Sequence, residues 1–190
     1  MSNLDLLKKL IKIESISPND NGCFDVIKQQ FEGLDFSFEE TNYNNMSHWV
    51  ITNGNSKNKT FCFLGHTDVV PPGPESEWTV PPFSGEIIDN KIYGRGAADM
   101  KGGVACFISA LKEFLSEYKD PSFNIMVLLN SNEEGKLENG KVDRVINEMI
   151  DKDKFIDFCL IGEPSSSKRV GDVIRIGRRG SLSGNLKVYG

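Results

Sequence analysis

No dense run of lysine or arginine occurs anywhere in this 190-residue chain, whose formal net charge is −5. That balance speaks against nucleic acid or an anionic membrane as the main partner. No segment approaches the ~20 consecutive apolar residues of a membrane span. The N-terminal "MSNLDLLKKLIKIESIS" is broken by Lys8, Lys9 and Lys12 and so lacks the apolar core of a signal peptide. The four cysteines (Cys23, Cys62, Cys106, Cys159) are far apart, form no C-x-x-C pair and sit in apolar contexts. They are expected to be reduced core residues of a cytoplasmic protein. Internal repeats and low-complexity tracts are absent. Histidine is scarce, with only His48 and His66.

A hydrophobic share of 38% with 26% charged residues suits one globular domain with a real core. Leu4, Leu7, Leu10 and Ile11 recur at helical spacing behind Ser2 or Asn3, either of which can cap. Helices are also expected over 24–31, 102–118 and 142–150. Short alternating or apolar runs predict strands at 36–38, 48–52, 60–64, 124–129 and 158–161. Between residues 69 and 85 five prolines impose an ordered loop. "EIIDNKIYGRG" reads as two short strands turning at Asp89-Asn90. "DVIRIG" and "SLSGNLKVYG" read as two more strands around an "RRG" turn. Strands alternating with helices indicate an α/β fold with a largely parallel sheet.

The acids and one histidine cluster where such strands end. His66 and Asp68 follow the strand at 60–64. Asp99 comes after the short strand ending near Tyr93 and just before a helix. Glu133 and Glu134 follow the strand at 124–129, and Glu163 follows the strand at 158–161. At the carboxyl edge of a parallel sheet these groups converge on one crevice. Several carboxylates in one crevice repel one another unless a cation joins them. One imidazole with several carboxylates is an N/O ligand set suited to Zn²⁺, or to Mn²⁺ or Co²⁺. Asp68 is placed to accept from the His66 nitrogen that does not face the metal. Adjacent acids such as Glu133-Glu134 can divide labour between metal and proton. The glycine-rich "GRGAADMKGG" also allows a nucleotide-binding reading, although it lacks the third glycine of a dinucleotide loop and the Lys-Ser ending of a P-loop.

"GHTDVVPPG…W…PPF", "GRGAADMKGG", "NSNEEG", "GEPSS" and "VGDVIRIGRRGSL" together resemble the bacterial succinyl-diaminopimelate desuccinylases. These belong to the dizinc metallopeptidase superfamily that also holds acetylornithine deacetylase and the aminoacylases. The resemblance runs in order from about residue 60 to residue 190. It implies a three-layer zinc-peptidase-like catalytic domain with two Zn²⁺ ions, for which Co²⁺ or Mn²⁺ can substitute. His66, Asp99 and Glu163 match the ligands of one zinc, with Asp99 bridging to the second. Glu134 matches a ligand of that second zinc. Glu133 matches the general base and acid, and Asp68 the aspartate that orients the metal-bound histidine. The Asp99-Met100 peptide is expected to be cis, and Arg178 and Ser181 match positions near the substrate. The implied reaction is metal-assisted hydrolysis of the amide bond of N-succinyl-LL-2,6-diaminopimelate, a small N-acyl amino acid, in lysine and diaminopimelate biosynthesis.

In that family the chain continues into a smaller dimerisation domain and later supplies the second zinc's histidine; the complete enzyme is a homodimer. The present sequence ends at Gly190, and His48 lies in a predicted strand well before the motif. Residues 1–178 are therefore expected to be the N-terminal part of a C-terminally truncated catalytic domain, and 179–190 the start of the connection. One metal is expected to bind well and the second poorly, with little or no hydrolysis. Alternatives are an acetylornithine deacetylase or dipeptidase of the same superfamily, or an inactive metal-binding fragment. Asn132 stands where relatives usually carry Asp.

Overall fold

The structure, a computed structural model, describes residues 2–43, 46–54, 58–135, 142–177, 184 and 186–188. Its centre is a five-stranded sheet in the order β1-β2-β6-β3-β7. The strands are β1 (Ser37–Tyr43), β2 (Met46–Thr52), β3 (Thr60–His66), β6 (Asn124–Asn130) and β7 (Phe158–Ile161). β3 pairs in parallel with both β6 and β7, whereas β2 is antiparallel to its neighbours β1 and β6. Four of the five strands thus run in one direction and β2 alone runs against them. Two further strands, β4 (Ile87–Ile88) and β5 (Lys91–Ile92), form a separate hairpin. Its turn residues Asp89 and Asn90 both take positive φ, 49° and 60°, which short polar side chains tolerate best.

All seven residues of β6 are buried, as expected of a central strand covered on both faces. Strand alternation sends Ile125, Val127 and Leu129 to one side and Met126 and Leu128 to the other. The first set packs with Leu6, Leu10, Phe24, Ile27, Val104 and Ile108. These come from helices α1 (Asn3–Ile11), α2 (Cys23–Lys28) and α3 (Lys101–Glu117). The second set meets Val145 and Met149 of α4 (Val142–Asp151). The result is the expected three-layer α/β arrangement. The α1 helix starts where Ser2 accepts from the Asp5 amide at 3.2 Å.

Lys101 of α3 is fully buried, and its Nζ donates to the carbonyls of Leu10 and Ile13, both at 2.8 Å. A cation thereby satisfies the orphan acceptors at the end of α1. Burial drives its pKa down, partly offset by Cys23, Asp20 and Asp68. Held this way, Lys101 is not available to cradle a phosphate, which removes the main cation of the nucleotide reading. Two glycines follow it for steric reasons. A Cβ on Gly102 would lie 2.3 Å from the Ala97 carbonyl oxygen, and one on Gly103 would lie 2.3 Å from the Gly162 carbonyl oxygen. The start of α3 can therefore approach the end of β7 backbone to backbone.

Several expectations need correction. "DVIRIG" forms no strand: among the described residues no strand pairs with 172–177, and Ile174 and Ile176 are exposed. An alternating pattern becomes a strand only beside a hydrogen-bonding neighbour. "SLSGNLKVYG" lies largely outside the described residues. Cys23 and Cys62 are buried free thiols as expected, whereas Cys106 and Cys159 are exposed. Cys106 lies on the outer side of α3, and Cys159 on the edge strand β7, all four of whose residues are exposed. The helix expected over 24–31 stops as α-helix at Lys28 and ends in a 3₁₀ turn, Gln29–Phe31.

Candidate metal centre

His66 is the last residue of β3, two beyond the expected strand end, and its register partner on β6 is Asn130. Both strands finish at the same edge, where the chain leaves β6 through the turn that carries Glu133 and Glu134. β7 finishes beside them and delivers Glu163 two residues later. Asp99 arrives differently from the expectation. It does not extend a strand of the central sheet, because β5 belongs to the separate hairpin. It sits in the loop just before α3, and the expected cis Asp99-Met100 peptide is present.

These placements bring the predicted groups together. The donor atoms of His66, Asp99 and Glu134 all lie within 4.8 Å of one another. The Nε2 atom of His66 is 3.1 Å from Asp99 Oδ1 and 3.6 Å from Glu163 Oε1. On the other side of the ring, Nδ1 is 2.9 Å from the main-chain oxygen of Asp68. A carbonyl can only accept, so Nδ1 carries a hydrogen, and Nε2 is the atom left to bind a cation or, when protonated, to donate to Asp99. Lone pairs from one nitrogen and several carboxylates facing one point require a proton or a cation among them.

Asp68 does more than the sequence suggests. Its carboxylate is fully buried and lies 3.5 Å from His66 Nδ1, further than its own carbonyl. Oδ1 accepts from the Glu133 amide and Oδ2 from the Glu134 amide, both at 3.1 Å, and the Ser17 hydroxyl also donates to Oδ2. Asp68 therefore fixes the imidazole and the acidic turn at once. Ser17 carries no local signal and reaches the site across 51 residues.

The electrostatics follow from this crowding. Burial, with the neighbouring Asp99 charge, raises the Glu163 carboxyl to about 7. The same two causes raise Glu134. Burial would lower His66, but the hydrogen bond and charge of Asp68, with Glu163, outweigh it and raise the ring to about 9. Burial works against ionisation of Asp68 too, yet hydrogen bonds from His66 and Ser17 leave it below the ordinary carboxylate value. Where a cation is missing, protons take its place on His66 and Glu163. The donor set, the orientation of Nε2 toward Asp99 and Glu163 and the raised carboxylates all fit a divalent metal held by nitrogen and oxygen.

His48 is not part of this group. It is buried in β2, with its ring 5.9 Å from that of Tyr43. Glu133 is exposed beside the cluster. Arg178 and Ser181 lie outside the described residues. The proline-rich segment is ordered, with Trp78 Nε1 donating to the Pro72 carbonyl at 3.0 Å and the Arg95 guanidinium stacked 5.0 Å from the Trp78 ring.

The sequence profile of peptidase family M20/M25/M40 matches residues 62–184, a span that holds all six site residues from His66 to Glu163. The chain belongs to this family. Among curated proteins, this M20 chain is 46% identical to the succinyl-diaminopimelate desuccinylase of Psychromonas ingrahamii, over 98% of its own length and 49% of that protein. It is 45% identical to the enzyme of that name from Methylococcus capsulatus, with the same coverage. The chain spans about half the length of the curated relatives it matches. Among solved structures it resembles an M20 family metallo-carboxypeptidase from Sulfolobus solfataricus, 25% identical with a TM-score of 0.68, covering 87% of this chain and 38% of that one. Human carnosine dipeptidase 1 shares the fold, with a TM-score of 0.68 at 24% identity over 84% of this chain and 37% of that one. No helix among the described residues is long and apolar enough to cross a membrane.

Proposed function

We propose that this M20 chain is the metal-binding half of an amidohydrolase that removes the succinyl group from N-succinyl-LL-2,6-diaminopimelate. The chemistry rests chiefly on one observation, the convergence of the His66 ring nitrogen with Asp99, Glu134 and Glu163. The substrate rests on the name carried by relatives at 43–46% identity. In this reading His66, Asp99 and Glu163 would hold one Zn²⁺, and Asp99 with Glu134 would contribute to holding a second. Co²⁺ and Mn²⁺ are acceptable substitutes. When bound, zinc supplies Lewis acidity that polarises the amide carbonyl and makes water acidic near neutral pH.

The residues of the chain do the rest. Asp68 keeps the hydrogen on His66 Nδ1, so that Nε2 stays available for coordination. By holding the Glu133 amide, Asp68 also fixes the backbone from which the Glu133 carboxylate projects. That carboxylate accepts a proton from the attacking water and returns it to the departing amide nitrogen. Arg178 and Ser181 contribute to binding the acyl amino acid. Residues 1–178 belong to the catalytic unit and 179–190 begin the link to a second domain, through which the complete enzyme pairs. On its own the 190-residue chain fills its first metal position well and its second weakly, and turns over little substrate, since its other histidine is remote.

The test is a chimera joining this chain to the second half of the Psychromonas ingrahamii relative, assayed on N-succinyl-LL-diaminopimelate, N-acetylornithine and dipeptides. The succinyl substrate is expected to be preferred. Glu133→Gln is expected to lower kcat by about 10²–10⁴-fold with metal content unchanged. Preference for N-acetylornithine or a dipeptide would reassign the substrate, and an unaffected Glu133→Gln variant would remove the proton role.

A further inference from the structure

We infer that Ser17 is a positioning residue of the metal centre, acting through Asp68, and that residues 15–20 form a clasp holding the two metal-bearing turns together. This inference rests on the metal-centre reading above. The clasp is defined by contacts on both turns. Across 66–69, the Val69 amide donates to the Ser15 carbonyl at 2.9 Å and the Ser17 amide donates to the Val69 carbonyl at 3.1 Å. The Ser15 hydroxyl donates to the Thr67 carbonyl at 2.7 Å, and the Thr67 hydroxyl donates to Asp20 Oδ1 at 2.8 Å. On the other turn, the Ser131 hydroxyl donates to the Pro18 carbonyl at 2.8 Å. A Cβ built on Gly135 would lie 3.4 Å from the Ser17 Cβ, so this turn packs against the clasp.

Within the clasp Ser17 is distinct because its side chain meets a carboxylate rather than the backbone. A hydroxyl has one proton to give. Asp68 Oδ2 receives it, the Val69 carbonyl being further away at 3.4 Å. The Asp68 carboxylate is then held by three donors, the amides of Glu133 and Glu134 and the Ser17 hydroxyl. Three donors from two segments fix its rotation about the Cβ–Cγ bond, which keeps Oδ1 turned toward His66. Without Ser17, Oδ2 keeps the Glu134 amide alone, and a fully buried carboxylate that loses a donor is costly. Such outer partners set ligand orientation, and their loss typically weakens metal binding about 10–100-fold.

The test uses the 190-residue chain and Co²⁺ as probe, reading affinity by chelator competition, the visible d–d spectrum, and the melting temperature of the metal-free protein. Ser17→Ala is expected to raise the Co²⁺ dissociation constant about tenfold and shift the d–d bands. Ser17→Thr, which keeps the hydroxyl, is expected to restore both. Ser15→Ala, which removes a bond from the same clasp to a carbonyl, is expected to lower the melting temperature while leaving the spectrum intact. Equal weakening by Ser15→Ala and Ser17→Ala, or no rescue by Ser17→Thr, would reduce Ser17 to a structural residue and overturn the inference. So would unchanged affinity and spectrum in Ser17→Ala with normal binding by the parent chain, while leaving the metal centre standing. Should the parent chain bind no Co²⁺, or His66→Ala bind it equally well, the metal reading fails and the inference falls with it.

Discussion

Metal affinity is expected to climb on the order of several thousandfold between pH 6 and pH 9. At pH 7 His66 holds a proton, its pKa being about 9, and Glu163, at about 7, is half protonated. A divalent ion entering the cluster must displace both, so binding at pH 7 releases about one to two protons. Calorimetry of Zn²⁺ binding in buffers of different ionisation enthalpy measures this number directly. The stability of the metal-free protein should move the opposite way. A group whose pKa is raised on folding contributes most below its unfolded value and loses that contribution as pH rises through the folded one. For His66 the window runs from 6.5 to about 9, and for Glu163 from 4.5 to about 7. The lowered pKa of Asp68 acts with the other sign, but only in acid below 3.8. The metal-free melting temperature is therefore expected to fall from pH 5 to pH 9, and saturating Zn²⁺ to cancel that fall. Proton release near zero at pH 7 would mean the ion binds elsewhere.

Asp68→Ala is expected to cost about 3–5 kcal/mol of stability, the range for removing one member of a buried charged pair. The substitution leaves the Glu133 and Glu134 amides without their acceptor and removes the fully buried carboxylate beside His66. For a chain of this length each kcal/mol lowers the melting temperature by about 2–4 °C, so a shift of about 10 °C is expected. Zn²⁺ affinity should drop as well, by about 10–100-fold, because the imidazole loses its charged neighbour. Asp68→Asn should cost less, since one carboxamide oxygen still accepts from an amide. Urea melts of the metal-free proteins measure the stability term. A loss under about 1 kcal/mol, the ordinary effect of a surface change, would contradict the hub role of Asp68.

The edge that gathers the candidate ligands was legible in the sequence because strand ends are marked locally. The apolar run before His66, the apolar centre of β6 before Glu133 and the short apolar run before Glu163 each announce a strand, buried in the first two cases and at the exposed edge in the third. In a parallel sheet those ends must share an edge. Asp99 was right in place but wrong in provenance, since nothing in "KIYGRG" says that β5 leaves the central sheet for its own hairpin. The direction of β2 was equally hidden, because an alternating strand reads the same whichever way it runs. The clasp at 15–20 was invisible for a related reason. Its contacts join residues from 47 to 113 positions apart through single hydroxyls and backbone groups, and serine and asparagine in a loop otherwise indicate only a turn. "DVIRIG" shows the converse error, a good local strand pattern with no partner strand among the described residues.

The most direct measurement is an anomalous difference map at the zinc edge from a crystal of the chain grown with Zn²⁺. The account predicts a peak about 2.0–2.2 Å from His66 Nε2 and from an Asp99 oxygen, with Glu163 within coordinating reach. A site between those residues that stays empty at saturating zinc, with the ion bound elsewhere, would contradict it.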